Sequence, residues 1–218
     1  MKVLLGLIAT FYCFSLSAND FPAHWWAPVD GEVPSWEITP DKAEPGVELI
    51  LSKRNELGVF SNFGAASFRL EGIRYASVEG LWQMMKYPDS ALRSDPRSQF
   101  NYPFTRDQVR GMAGFEGKRA GKSANEINRE NNIDWVSYRG EKFNYKDFGA
   151  GSQRHYEIIR EGIRQKVLQN SEVKELLLST GNLKLLPDHT LRANSPPSYY
   201  YFEILMELRA ELQIGKIN

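Results

Sequence analysis

The chain has 218 residues, 42% hydrophobic and 25% charged, with basic and acidic side chains in balance. That composition excludes a disordered chain and a multi-span membrane protein, and the length suits one domain with a real core. Even charge also argues against direct binding to nucleic acid, which needs a basic footprint.

Residues 1–18 read as an export signal. Met1-Lys2 is a basic start, "VLLGLIATFYCF" is apolar, and "SLSA" offers small residues for cleavage after Ser17 or Ala18. The apolar run falls short of the roughly 20 residues that span a bilayer, so no membrane attachment is expected after cleavage. Cys13 is the only cysteine and lies inside this segment. The mature chain would then hold neither disulfide nor thiol nucleophile, which suits an oxidising compartment such as a bacterial periplasm. The expected location is the periplasm or the medium.

Residues 19–46 form a Pro- and Trp-rich arm, with prolines at 22, 28, 34, 40 and 45 that rule out a long helix. Trp25, Trp26 and Trp36 are costly to leave in water, so the arm is expected to be extended and packed on the domain. The domain proper spans residues 47–218. It opens with a strand in "VELILSK" and a loop with a short strand in "NELGVFSNF". A β-hairpin follows in "ASFRLEGIRYAS", turning at Glu71-Gly72. In "SVEGLWQMMK", Ser77 is a plausible N-cap, and Val78, Leu81, Trp82 and Met85 recur at the spacing of a buried helical stripe. Glu79, Gln83 and Lys86 follow the same spacing on another face, as either a solvated surface or the wall of a polar site.

Further on, "TRDQVRGMAG" and "GKRAGKSANEINREN" read as polar helices, and "NIDWVSYRGEKFNYKDFGAGS" as an aromatic stretch with turns at its glycines. "RHYEIIREGIRQKVLQN" puts Tyr156, Ile159, Ile163 and Val167 on one helical face. "SEVKELLLSTG" is a short helix capped by Ser171 and stopped by Gly181. "NLKLLPDH" is a strand running into a loop. The closing helix aligns Tyr201, Ile204, Leu205, Leu208 and Leu212. The fold class is therefore α+β, a predominantly helical single domain with a small β-sheet.

No standard catalytic signature is present: no GxSxG, HExxH, CxxC or phosphate-cradling glycine loop. His24, His155 and His189 lack metal-ligand spacing, so no metal site is expected. Yet "GVFSNF", the hairpin, "SVEGLWQMMK", and the closing segments "IREGIRQKVLQNSEVKELLLSTGNLKLL" and "ILMELRAEL" together resemble the NADAR (YbiA-like) family over roughly residues 48–215. Members with known activity are N-glycosidases that cleave the bond between ribose C1′ and a nitrogen base.

The resemblance implies hydrolysis of an N-linked ribosyl or ADP-ribosyl compound, with Glu79 at the family's catalytic glutamate. The first turn of a helix favours an ionised carboxylate there, and a carboxylate suits the positive charge that develops on ribose. Gln83 would bind sugar hydroxyls or base edges, Lys86 would meet a phosphate, and Asn62 would contact ribose or base. Phe63 beside it is expected in the core. Trp135 is the candidate to stack on the base, with Phe148 the alternative. Water is the co-substrate, so no cofactor is implied. The family's Asp and Trp-Gly after the last strand are missing from "PDHTLRANSPPSYYYF", and Asp188 is the only acid offered in their place, beside His189 and Asn194. That departure leaves two rivals open: a non-catalytic module binding ADP-ribose or an NAD-related nucleotide, and a secreted interaction protein that keeps only the fold.

Overall fold

The structure is a computed structural model that describes residues 21–217; residues 1–18, which the sequence suggests as an export signal, lie outside them. In chain order its elements are β1 (Glu48–Ile50), β2 (Phe68–Leu70), β3 (Ile73–Tyr75), α1 (Val78–Met84), α2 (Arg106–Arg110) and α3 (Gly114–Glu130). Then come β4 (Val136–Tyr138), β5 (Glu141–Phe143), α4 (Ala150–Gln169), α5 (Ser171–Ser179), β6 (Lys184–Leu186) and α6 (Tyr201–Gln213). The class is α+β and mainly helical. Its strands are three separate two-stranded pieces rather than one small sheet, each strand three residues long. None of the described helices is long and apolar enough to cross a membrane.

Local chemistry explains most boundaries. β2 and β3 pair antiparallel across Glu71 and Gly72, both at positive φ, the geometry a two-residue hairpin turn demands. β4 and β5 repeat the device at Arg139-Gly140. "NELGVFSNF" contains no strand; Asn55 accepts from the Leu57 N–H and starts a 3-10 turn over Glu56–Phe60. Asn170, not Ser171, precedes α5, and Gly181 ends it with φ +55°. The parallel pair β1–β6 joins opposite ends of the chain, Leu49 facing Leu185.

Helix α4 is the hub. Ile158, Ile159, Ile163 and Val167 are buried, while Tyr156, expected on the same face, is only half-buried. A Cβ at Gly162 would lie 2.6 Å from Leu81 Cδ2, so a larger residue there would force the Leu81 side chain to shift where α4 meets α1. The arm is extended, as its prolines require, with short 3-10 turns at Ala23–Trp26 and Pro40–Lys42. Trp25 is buried with its indole N–H donated to Glu56 Oε1 at 2.6 Å, and Trp26 donates to the Glu48 carbonyl at 2.8 Å. Trp36 departs from expectation: it stays 51% exposed.

Candidate active site

Ser77 caps α1 as its sequence predicts. Its Oγ accepts from the Gly80 N–H and donates to the Met112 carbonyl, both at 2.9 Å. From that fixed start, the polar stripe is not a solvated face: Glu79, Gln83 and Lys86 are all about 95% buried. Glu79 and Gln83 fit because α3 turns glycines toward them. A Cβ at Gly117 would lie 3.2 Å from Glu79 Cγ, and one at Gly121 would lie 1.6 Å from Gln83 Oε1.

Within the stripe, Gln83 Nε2 donates to Glu79 Oε1 at 2.8 Å. Burial raises the Glu79 carboxyl above its ordinary range, against the pull of Gln83, Lys86 and Lys118. Desolvation thus works against the ionised form that a first-turn position favours. The Lys86 ammonium sits 4.6 Å over the Trp82 ring, and burial brings it down to about 8, with Glu79 opposing the shift.

Glu79 and Gln83 line a cavity of about 660 Å³, within the range of small-molecule sites. Its loop wall is unusually well held. Three successive carbonyls accept from three helices or their starts: Ser61 from Lys166 Nζ at 2.8 Å, Asn62 from the Glu79 N–H at 2.8 Å, and Phe63 from the Gly114 N–H at 3.1 Å. This fixes Asn62 at the cavity and turns Phe63, expected in the core, into a half-buried wall residue edge-to-face with Phe115. Three buried polar atoms on lining residues have no protein partner: Asn62 Oδ1, Gln83 Oε1 and the Tyr201 hydroxyl. Buried groups of this kind are costly unless something polar meets them.

The opposite wall comes from the "PDH" loop and the arm. Asp188 is buried and does not itself line the cavity. Its carboxylate holds Lys53 Nζ with one oxygen and His189 Nδ1, at 2.9 Å, with the other, and both partners are lining residues. Burial works to raise Asp188, but these two hydrogen bonds outweigh it and hold the carboxyl below its usual range. Its backbone carbonyl accepts from the Ile38 N–H at 2.8 Å, which brings the arm alongside and sets Ser35 and Trp36 at the cavity.

The structure therefore brings together Asn62, Glu79 and Gln83, with Asp188 directly behind the wall. Two residues are not where the resemblance put them. Lys86 is packed behind Trp82, too deep to meet a phosphate in the open cavity. Trp135 does not line the cavity at all; its buried ring carries the Arg97 guanidinium at 4.3 Å and the Lys142 ammonium at 4.5 Å. Phe148, the alternative, is 72% exposed and absent from the lining too. The aromatic surface comes instead from Phe63, Trp82, Phe115, Tyr199, Tyr201 and Trp36. Tyr201 and Trp82 were hidden within apolar stripes, and only their polar atoms (unusual in a dry core) could have singled them out. Lys53 and Lys118 carried no signal.

His155 stays structural. Its Nδ1 pairs with Ser198 Oγ at 2.8 Å, its ring packs 4.1 Å from Trp82, and burial drives it down to about 3, so it is neutral. Among the described residues, no group of three His, Cys, Asp or Glu side chains gathers as a metal site.

No protein-family model and no curated protein matches the chain. Among solved structures it is similar to the NMR structure of the E. coli protein YbiA, at 21% identity over 78% of this chain and 87% of that one, with a TM-score of 0.49.

Proposed function

We propose that the protein is an N-glycosidase that hydrolyses the C1′–N bond of an N-linked ribosyl or ADP-ribosyl compound. The observation that carries this reading is Glu79: a desolvated carboxyl on the wall of a ligand-sized cavity, one oxygen held by Gln83 and the other free of protein hydrogen bonds. The resemblance of its loop and helix to the NADAR family supplies the reaction class.

The chemistry balances with water alone. The electron pair of the C1′–N bond leaves with the base, and positive charge builds on the ribose where the Glu79 carboxylate faces it. Water bonds to C1′ through its oxygen and releases one proton, which Glu79 accepts and passes on to the departing base. Gln83 orients the carboxylate, and Asn62 Oδ1, Gln83 Oε1 and the Tyr201 hydroxyl are placed to bind sugar hydroxyls. Asp188 acts through Lys53 and His189, as a positioning residue rather than a second reacting carboxylate.

That arrangement also sustains a second reading. With only one carboxyl on the cavity, the protein would bind an ADP-ribose or NAD-related nucleotide without cleaving it. A chromatographic screen of nucleotides and N-ribosides for released base decides between them: the first reading expects a free base from at least one compound, the second expects binding by calorimetry and no base. We also propose export directed by residues 1–18, on the basic start, apolar run and small-residue site. N-terminal sequencing from fractionated cells should find Ala18 or Asn19 first, outside the cytoplasm; an intact Met1 in the cytosol would overturn it.

A further inference from the structure

The arm contributes a cavity wall that the catalytic reading does not use. Trp36 lines the cavity, yet it keeps half its surface open to solvent. Its neighbours are held firmly. Glu37, 6% exposed at its side chain, grips Arg54 through both oxygens at 2.5 and 2.7 Å and bridges to the His189 backbone. Ile38 is tied to Asp188, and the Glu37 N–H reaches the Pro34 carbonyl at 2.9 Å. A tryptophan on so well-anchored a segment would be expected to bury its ring, as Trp25 does. The ring instead shares the cavity with Phe115, itself 56% exposed and backed edge-to-face by Phe63 at 5.4 Å.

We propose that Trp36 is a ligand-stacking residue, so that the arm completes the site and selects ligands bearing a flat heteroaromatic base. The cavity then has two chemistries. Its deep wall presents Glu79, Gln83, Asn62 and the Tyr201 hydroxyl to the sugar, and its open aromatic surface takes the base. A base–aromatic stack contributes about 1–3 kcal/mol by alanine substitution, and it tolerates any base because every base has a π-face. This selection of base-bearing over base-free ligands rests on the proposed function for its ligand class, but not on cleavage.

The test compares two probes, AMP and ribose 5-phosphate, by calorimetry and tryptophan fluorescence on the purified protein. AMP should bind the wild type more tightly than ribose 5-phosphate and quench the emission of the exposed indole. Trp36→Ala should weaken AMP about 5- to 150-fold, the range equivalent to that stacking energy, with ribose 5-phosphate and the melting temperature unchanged. Trp36→Tyr should restore most of the affinity. Equal AMP affinity in wild type and Trp36→Ala, or no binding of AMP to either, would overturn the proposal. Base release followed in parallel keeps the two readings apart. AMP affinity lost with Trp36 in a protein that releases no base leaves stacking intact and removes catalysis; full turnover with unaltered AMP binding in Trp36→Ala does the reverse.

Discussion

Glu79 is where stability and activity are set against each other. Its carboxyl titrates above the ordinary range because burial penalises the charged form. A folded pKa above the unfolded one favours the fold below the unfolded pKa, and this advantage is lost as pH rises through the folded pKa. Forming the charge therefore works against the fold, and Glu79→Gln should leave the melting temperature unchanged or higher. The amide oxygen can still accept from Gln83 Nε2. On the proposed mechanism, losing this charge should cost a few kcal/mol of transition-state stabilisation, roughly 10²–10³-fold in rate. A solvated first-turn glutamate would shift stability by only about 0.3–1 kcal/mol and leave turnover alone. Wild-type base release by Glu79→Gln sinks the mechanism. The wild-type pH profile should also rise later than an exposed glutamate's would, since the carboxylate must form against desolvation.

Between elements, contacts of backbone against side chain hold α1 in register. The carbonyls at and just beyond its C-terminus accept from two arginines: Met84 and Tyr87 from Arg106 Nη1 at 3.1 and 2.9 Å, and Met85 from the fully buried Arg97 at 2.9 Å. Positive charge at a helix C-terminus is favourable, and Asp95 and Asp89 pair with these cations. On its polar face, α1 depends on the glycines of α3. Gly121→Ala would ordinarily strengthen a helix by about 1 kcal/mol. Here the added methyl lands on Gln83 Oε1, so the expected result is a loss of stability of roughly 1–3 kcal/mol, with ligand binding reduced because Gln83 must move. A more stable, fully active Gly121→Ala protein would show that the helices pack less tightly than described.

Lys166 of α4 offers a second test at this scale. It is buried against the Ser61 carbonyl, and burial brings its amine down to about 7. Between pH 7 and the usual lysine range the unfolded chain binds the extra proton, so stability rises with pH there, by on the order of 1.4 kcal/mol per unit at most. In urea melts, wild type should gain on Lys166→Met from pH 7 to pH 9.5. A constant difference would mean that the amine is better solvated than its burial implies.

At the scale of the whole molecule, Asp188 joins segments far apart in the chain: Lys53 beyond β1, His189 beyond β6, and Ile38 in the arm. Asp188→Asn should remove roughly 1.5–3 kcal/mol, the worth of hydrogen bonds to a charged group. It should also loosen the wall that carries Trp36. Because the folded pKa lies below the unfolded one, the wild-type advantage is present above the ordinary carboxylate range and disappears as pH falls through the folded value. Denaturant melts at pH 7 and pH 3 check this; an equal deficit at both would place the effect in packing.

The elements were legible in the sequence wherever one local rule sufficed. Ser77 as a cap, Glu71-Gly72 as a hairpin turn, Gly181 as a stop and the stripes of α4 and α6 depend only on residues a turn or two away. Glu79, Gln83 and Asn62 were also legible, as a polar stripe and loop that resemblance marked out. Periodicity could not say whether that stripe faced water, because a solvated face and a buried polar one share the same spacing. Burial was decided by the glycines of α3, some forty residues on. The same holds for Trp36, Tyr201 and Lys53, which reach one cavity only through the β1–β6 pairing and the arm's bond to Asp188. Local rules set which residues share a helix face or a turn; what that face meets depends on chain segments that only the folded packing brings together.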